Sequence, residues 1–224
     1  HEAGVPPGVV NMVTALDPKP IGAVFATHPG VRKLTFTGST AVGKLLAREA
    51  AATLKRVSME LGGHAPFIVC ADADPVHAAK GAAGVKFLNT GQACISPNRI
   101  YVHKTIAADF IDTLAKRIGA MKVGNGMEQG IGIGPLNNAA ALEKVDRQVQ
   151  DAIAKGAQLA CGGKRLTDNG LDQGCFYAPT LLTGVTPEMQ IYREETFGPV
   201  AAVCLYDDSD DILALANDTE YGLA

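Results

Sequence analysis

Short apolar segments alternate with helical segments along most of the 224 residues, and this alternation restricts the possible folds more than any other feature. Strands are predicted in "GVVNMVTA", "RKLTFTG", "RVSMELGG", "APFIVC", "NRIYVHK", "FYAPTLL" and "VAAVCLY". Helices are predicted in "TAVGKLLAREAAATLK", "ADPVHAAKGAAGVKFLN", "IAADFIDTLAKRIGAM" and "NNAAALEKVDRQVQDAIAKGA". Strands that alternate with helices are typical of a parallel sheet covered by helices, the α/β class. The pair Gly62-Gly63 predicts a break between two α/β domains, residues 1–62 and 63–224.

The composition excludes several classes of function. With 47% hydrophobic and 19% charged residues, the chain has enough apolar surface for a sizeable core. The formal net charge is −3 and the basic residues are scattered, so we expect no nucleic-acid partner. No apolar run approaches the roughly 20 residues that cross a bilayer, and the first residues lack a secretory signal. We therefore expect no membrane partner and a cytoplasmic location.

The segment "FTGSTAVGKLL" contains the G-x-x-x-x-G-K spacing of a nucleotide phosphate loop, in Gly38, Gly43 and Lys44. A glycine turn between a strand and a helix directs backbone N–H groups at an anion. After the lysine, however, such a loop needs a hydroxyl to ligate Mg²⁺, and this chain has Leu45. The segment predicts a helix N-terminus that faces an anion, without identifying the anion.

Cys94 is the candidate nucleophile among five cysteines. The chain has no C-x-x-C pair, so neither a disulfide framework nor a metal site is predicted. Cys70 and Cys204 lie in apolar strand segments and are predicted to be in the core. Cys94 instead follows the polar turn "NTGQ", in a loop of the kind where functional residues concentrate. A thiolate there could attack an electrophilic carbon, and a buried structural thiol is the alternative interpretation.

Two acidic segments are further candidates. Glu60 lies between apolar residues and a glycine pair in "SMELGG", where partial desolvation would raise its pKa toward the range of a general base. In "REETFGPV", Glu194 and Glu195 precede Phe197, which suggests a carboxylate for a ribose diol and a ring beside a flat heterocycle. The alternative interpretations are a surface or ion-paired Glu60, and surface charge beside a core phenylalanine.

Four segments in this order, "FTGSTAVGK", "MELGGHAPFIV", "NTGQACISPNR" and "EETFGPV", resemble the aldehyde dehydrogenase superfamily. Its members oxidise aldehydes through a thioester and use NAD or NADP. The resemblance extends along essentially the whole chain, from "GVPPGVVN" to "NDTEYGLA". It implies the aldehyde dehydrogenase fold, with the end of a Rossmann-like cofactor domain over residues 1–62 and an α/β catalytic domain over residues 63–224.

The resemblance also implies roles for individual residues. Cys94 matches the nucleophile, which would form a thioester with an aldehyde substrate. Glu60 matches the general base that would activate water to hydrolyse the thioester.

Five other positions match cofactor-binding positions of the family. Gly38 and Ser39 match the turn that meets the pyrophosphate of NAD or NADP, a turn that needs no hydroxyl for Mg²⁺. Leu61 matches a residue beside the nicotinamide, Glu195 the carboxylate that binds the ribose, and Phe197 the ring that packs near it.

The nearest branch of the family is the succinate-semialdehyde dehydrogenases, which commonly have an arginine where this chain has Leu88. The resemblance implies that an oxyanion-hole asparagine, a ribose-binding lysine and most of the cofactor domain precede His1. It also implies that the end of the catalytic domain and an oligomerisation strand follow Ala224. We therefore expect a homodimer or homotetramer of the whole enzyme, and little or no catalysis by these 224 residues alone. An inactive interaction domain is the alternative, and a P-loop NTPase is a remote third.

Overall fold

The computed structural model describes residues 2–223, so His1 and Ala224 lie outside the described residues. The chain divides into two compact units after Leu61. The predicted assignment of a cofactor domain to the first unit and a catalytic domain to the second remains a prediction.

The first unit contains a strand–helix–strand arrangement preceded by a helix. Its two strands are parallel, and the register runs from Lys33 opposite Arg56 to Thr37 opposite Glu60. Its elements are α1 (Lys19–Thr27), β1 (Lys33–Thr37), α2 (Thr40–Ala51) and β2 (Arg56–Glu60). The strand predicted in "GVVNMVTA" is wrong, because residues 8–15 are largely exposed and pair with neither strand of this unit.

The second unit is built on a five-stranded sheet. The strand order is β3-β4-β7-β6-β5; β5 and β6 pair antiparallel and every other neighbouring pair is parallel. This is the α/β architecture that the alternation of strands and helices predicts. Its strands are β3 (Pro66–Val69), β4 (Arg99–His103), β5 (Gln158–Cys161), β6 (Thr180–Thr183) and β7 (Val200–Tyr206). Its helices are α3 (Pro75–Lys86), α4 (Ala107–Gly119), α5 (Ala139–Ala154), α6 (Gln190–Arg193) and α7 (Ile212–Asn217).

Two apolar clusters of the second unit share the sheet. Along β7, Ala201 and Val203 belong to the cluster that contains α3 and α4, whereas Val200, Ala202 and Cys204 belong to the cluster that contains α5. Alternate residues of a strand point to opposite faces, so helices cover both faces of the sheet. β7 therefore reads as a nearly continuous apolar run, as expected for a buried parallel strand.

Local signals fix the ends of the longer helices. Asp74 caps α3 by accepting hydrogen bonds from two backbone N–H groups of the first turn, at 2.8 and 3.0 Å, and Pro75 follows at the first helical position. Asn138 caps α5 in the same way, through the N–H of Ala141 at 2.9 Å. After α5, Gly156 has a φ of 103°, a conformation that glycine adopts without strain.

Among residues 2–223, no helix is both long and apolar enough to cross a bilayer.

Candidate active site

The turn after β1 presents the N-terminus of α2. The Gly38 N–H donates a hydrogen bond to the Glu60 carbonyl oxygen at 3.0 Å, which holds this turn against the end of β2. Ser39 caps α2, and its Oγ accepts from the Val42 N–H at 3.4 Å. The first turn of α2 contains no acidic residue, so no side-chain carboxylate of that turn neutralises the positive end of the helix dipole. The carboxyl ends of β1 and β2 thus face the part of α2 that favours an anion.

Gly43, the second glycine of the phosphate-loop spacing, has a packing role. It lies inside α2, and a Cβ atom at this position would be 2.4 Å from Cδ2 of Leu61. A glycine is needed there because the half-buried Leu61 packs directly on the helix backbone. Since α2 begins at Thr40, only two residues of turn separate it from β1, so this segment is not a phosphate loop.

Glu60 ends β2, and its side chain is exposed in the described structure. The partial desolvation expected from its apolar neighbours is therefore absent. Among residues 2–223, β2 pairs with β1 alone. Glu60 and Leu61 belong to the first unit, whereas Cys94, Glu195 and Phe197 belong to the second.

Cys94 lies half-buried in the loop between α3 and β4. The loop begins with a tight turn over Leu88–Gly91, in which Asn89 and Thr90 have φ values of 50° and 62°. Left-handed residues other than glycine are strained, and such strain persists only where the surroundings hold it. The Asn89 side chain provides one restraint by donating to the Gln92 carbonyl oxygen at 3.0 Å.

A second loop, residues 134–137, restrains the Cys94 loop from outside. Thr90 Oγ1 accepts from the Gly134 N–H at 2.9 Å, and Gln92 Oε1 accepts from the Asn137 N–H at 2.9 Å. Gln92 Nε2 also donates to the Pro135 carbonyl oxygen at 3.2 Å. Together with Phe197, these two loops line an open cleft of about 500 Å³. Cys94 therefore follows a turn that is fixed on two sides.

The other cysteines lie in different surroundings. Cys204 is buried in β7, and burial raises the pKa of its thiol to about 12. Burial also raises the pKa of the Cys161 thiol. The prediction that Cys70 belongs to the core is wrong, because Cys70 follows the last residue of β3 and is exposed. High-pKa thiols are poor nucleophiles at neutral pH, which leaves Cys94, the exposed Cys70 and the half-buried Cys175 as candidates.

The glycine pair after Leu61 joins Glu195 to the Cys94 loop. The Gly63 N–H donates to Glu195 Oε1 at 3.0 Å. A Cβ atom on Gly62 would lie 2.8 Å from Glu195 Oε2, and a Cβ atom on Gly63 would lie 2.1 Å from the Cys94 carbonyl oxygen. Only residues without a side chain allow both approaches, so the glycine pair brings Cys94 and Glu195 to neighbouring positions.

A second glycine contact joins the Cys94 loop to the loop that contains Glu195 and Phe197. A Cβ atom on Gly91, whose φ is 73°, would lie 2.1 Å from the Gly198 carbonyl oxygen. One on Gly198 would lie 2.5 Å from Cγ2 of Val145, so this loop also packs closely on α5. Between these contacts, Phe197 has a φ of 52° and its ring is partly exposed. The backbone turn at Phe197 directs the ring into the cleft instead of into the core.

Two lysines near this site were missed by the sequence interpretation. Lys144 of α5 is half-buried; burial lowers its pKa, while the carboxylates of Glu195 and Glu194 oppose the shift. Lys86 is completely buried, although it is charged at its ordinary pKa. A signal for Lys86 was present, because it follows Ala82 and Ala83 by four and three residues and so lies on the buried face of α3. Among residues 2–223, no group of three His, Cys, Asp or Glu side chains could hold a metal ion.

Comparisons with known proteins agree with this arrangement of segments. The profile of the aldehyde dehydrogenase family matches residues 1–224. Succinate-semialdehyde dehydrogenase [NADP(+)] 2 of Schizosaccharomyces pombe is 44% identical over 224 residues, which are 100% of this chain and 45% of that protein. The 3-sulfolactaldehyde dehydrogenase of Pseudomonas putida is 47% identical over 224 residues, 100% of this chain and 45% of that protein.

A solved structure gives the same result. Succinate-semialdehyde dehydrogenase from Burkholderia pseudomallei superposes with a TM-score of 0.94 at 48% identity, over 99% of this chain and 45% of that one. The chain thus spans about 45% of the length of these relatives. The match covers the glycine turn, the glycine pair, the Cys94 loop and the Glu195 loop together. This chain belongs to the aldehyde dehydrogenase family.

Proposed function

We propose that the protein containing this chain oxidises an aldehyde to a carboxylic acid, with Cys94 as the nucleophile and NAD or NADP as the cofactor. The observation that carries the proposal is the position of Gly63. Its N–H binds the Glu195 carboxylate, and its Cα lies against the carbonyl of Cys94. The proposed nucleophile and the proposed ribose-binding carboxylate therefore belong to residues that both contact Gly63.

The residues present are suited to a dinucleotide. Gly38 and Ser39 would hold its pyrophosphate at the N-terminus of α2, a helix whose first turn contains no acidic residue. Glu195, oriented by the Gly63 N–H, would accept hydrogen bonds from ribose hydroxyls. Leu61 and Phe197 would lie beside the nicotinamide and its ribose. Bound NAD or NADP supplies the acceptor for the hydride that leaves the substrate.

The remaining chemistry falls to two side chains of this chain. Cys94, as a thiolate, adds to the carbonyl carbon of the aldehyde and then carries the acyl group as a thioester. Glu60 takes a proton from water, whose oxygen attacks the thioester carbonyl. The acid leaves and the thiolate of Cys94 is restored. An exposed carboxylate at the end of β2 can exchange its proton with solvent between turnovers.

The substrate class follows from the names of the relatives. Those named succinate-semialdehyde dehydrogenase and 3-sulfolactaldehyde dehydrogenase act, by name, on aldehydes that carry an acid group. We therefore propose an aldehyde of this kind, such as succinate semialdehyde. A homodimer or homotetramer and a cytoplasmic location remain predictions for the whole protein.

The test is NAD(P)H formation by the encoded protein with a panel of acidic and neutral aldehydes. Cys94→Ser should abolish turnover, whereas Cys70→Ser, at an exposed cysteine, should leave it unchanged. Glu60→Gln should lower turnover by roughly 100-fold or more, because the proton acceptor is lost while the shape is kept. Glu128→Gln, at an exposed carboxylate in a turn, is its control.

Two outcomes would contradict the proposal. Full turnover by Cys94→Ser would remove Cys94 from the chemistry, and an unchanged rate and pH profile in Glu60→Gln would remove Glu60. The isolated 224 residues should form no NAD(P)H. Turnover by them within about tenfold of the encoded protein would contradict that expectation, since losing even one oxyanion donor costs roughly 100-fold.

A further inference from the structure

Lys86 is a buried cation that the proposed chemistry does not use. It is the last residue of α3, and its side chain is 0% exposed. It lies on the face that α3 buries, among alanines of the apolar cluster. Moving a charged lysine out of water is costly unless other groups compensate, and lysines are among the residues least often buried. A lysine at this position therefore requires a specific partner.

That partner is Asn98, just before β4. Lys86 Nζ donates to Asn98 Oδ1 at 3.2 Å, and Asn98 Nδ2 donates to the Gly63 carbonyl oxygen at 3.1 Å. An ammonium group can donate but cannot accept, so it fixes which end of the amide faces it. The amide nitrogen must then face the Gly63 carbonyl, which is an acceptor. Lys86 thereby determines the orientation of the Asn98 side chain.

The chain of contacts continues from Gly63 to the candidate site. The peptide groups flanking the Gly63 Cα are held on both sides, since its carbonyl accepts from Asn98 and its N–H donates to Glu195 Oε1 at 3.0 Å. The same residue lies against the Cys94 carbonyl oxygen. Ser96 Oγ donates to the Lys86 carbonyl oxygen at 3.1 Å, so the end of α3 also holds the other side of the Cys94 loop. The contacts thus run from Lys86 to the Glu195 carboxylate and to the backbone of the Cys94 loop.

Lys86 also interacts electrostatically with the Glu195 carboxylate. Burial lowers the pKa of Lys86 to about 7, and the carboxylate of Glu195 opposes that shift. His64 and Arg99 are charged or titratable groups near Lys86, Arg193 also acts on His64, and Lys144 lies near Glu195 and Glu194. His64 is neutral at pH 7 because burial lowers its pKa to about 4, and Arg99 is a buried cation. As the pH rises through about 7, Lys86 therefore loses its proton, and with it the positive charge that interacts with the Glu195 carboxylate.

We propose that Lys86 is a positioning residue that, through Asn98 and Gly63, holds the Glu195 carboxylate and the Cys94 loop in place. It touches neither substrate nor cofactor. The proposal rests on the proposed function only in taking Glu195 as a dinucleotide-binding residue. The protonated lysine holds the amide and supports the carboxylate, whereas the neutral amine does so less strongly.

The experiment uses the encoded protein with Lys86→Met, which keeps an unbranched side chain one atom shorter and removes the donor and the charge. Lys80→Met is the control, because Lys80 is an exposed lysine of the same helix. One readout is the dissociation constant of NAD and of NADP, by calorimetry, from about pH 6 to about pH 8.5. The other is the rate of amide hydrogen exchange in the peptide that contains Gly63.

For Lys86→Met we expect roughly tenfold weaker dinucleotide binding at about pH 6, because a bond to a charged group is disturbed. The wild type should lose affinity as the pH rises through about 7, and Lys86→Met should lack this step. The Gly63 amide should exchange faster in Lys86→Met than in the wild type or Lys80→Met. A lysine that only stabilised the fold would not make the dinucleotide dissociation constant change with pH near 7.

Unchanged affinity, pH dependence and exchange in a folded Lys86→Met protein would overturn the proposal. If this variant does not fold, Lys86→Gln, a shorter neutral donor, takes its place in the same affinity and exchange measurements, and wild-type values in both overturn the proposal. A wild type that binds no dinucleotide would defeat the proposed function instead. In that case exchange at Gly63 still decides the role of Lys86.

Discussion

Substituting Gly63 by alanine tests the link between Glu195 and Cys94 most directly. The added Cβ atom would lie 2.1 Å from the Cys94 carbonyl oxygen, while real Cβ contacts are essentially never closer than 3.0 Å. One backbone segment must therefore move by at least about 0.9 Å, the difference between these distances. A misplacement of about 1 Å at reacting groups costs roughly 100-fold in rate, and overpacking costs about 1–3 kcal/mol of stability.

Two measurements on the encoded protein check this. Aldehyde turnover should fall by roughly 100-fold in Gly63→Ala. The rate at which iodoacetamide alkylates Cys94 should change as well, because the surroundings of the thiol shift. The matched control is Gly84→Ala in α3, where no heavy atom lies within 4 Å of the added carbon. That variant should keep its activity and gain up to about 1 kcal/mol, since alanine favours a helix over glycine. Gly63→Ala with turnover and alkylation within about twofold of the wild type would refute the contact as the origin of the geometry.

Three further predictions concern single side chains. Limiting iodoacetamide should label Cys94 before Cys204, whose thiol has a pKa raised to about 12, and preferential labelling of Cys161 or Cys175 would contradict the choice of nucleophile. Leu88→Arg should raise kcat/KM for succinate semialdehyde relative to a neutral aldehyde of similar length by roughly 10–150-fold, the equivalent of about 1.5–3 kcal/mol. A ratio of kcat/KM values for the two aldehydes that Leu88→Arg leaves unchanged would speak against Leu88 as a determinant. For His64, the unfolded state takes up a proton near pH 6.5 and the folded state only near pH 4. The free energy of unfolding should therefore fall below pH 6.5 by up to about 1.4 kcal/mol per pH unit. His64→Gln should flatten this loss in urea titrations at pH 7 and pH 5, and an equal loss in both proteins would refute it.

The sequence alone predicts a helix or strand wherever a local pattern of residues is enough to determine it. α2 and α5 have the period and caps of helices, and β7 is an apolar run in which every residue except Leu205 is buried. β5 was missed because it has only four residues, mostly exposed. The segment "GVVNMVTA" has strand propensity but no partner strand among the described residues, and propensity alone does not form a strand.

Features of the candidate site that depend on contacts between residues far apart in the sequence could not be predicted. The sequence indicated that Gly62 and Gly63 form a flexible point, but it could not show that side chains there would strike Glu195 and the Cys94 carbonyl. Those contacts join residues more than 30 positions apart, and no local rule predicts them. Cys70 was assigned to the core because it continues an apolar run, whereas β3 ends one residue earlier and exposes the thiol.

The order of strands in the second unit has a consequence for biosynthesis. β7 lies between β4 and β6, although β4 ends at His103 and β7 begins only at Val200. At about 5–20 residues per second, a ribosome needs roughly 5–20 s to make the intervening segment. During that time the hydrogen-bonding edge of β4 that later receives β7 has no partner. Such an edge can pair with other nascent chains, so we expect the yield of native protein to depend on chaperones that shield β4 until β7 emerges.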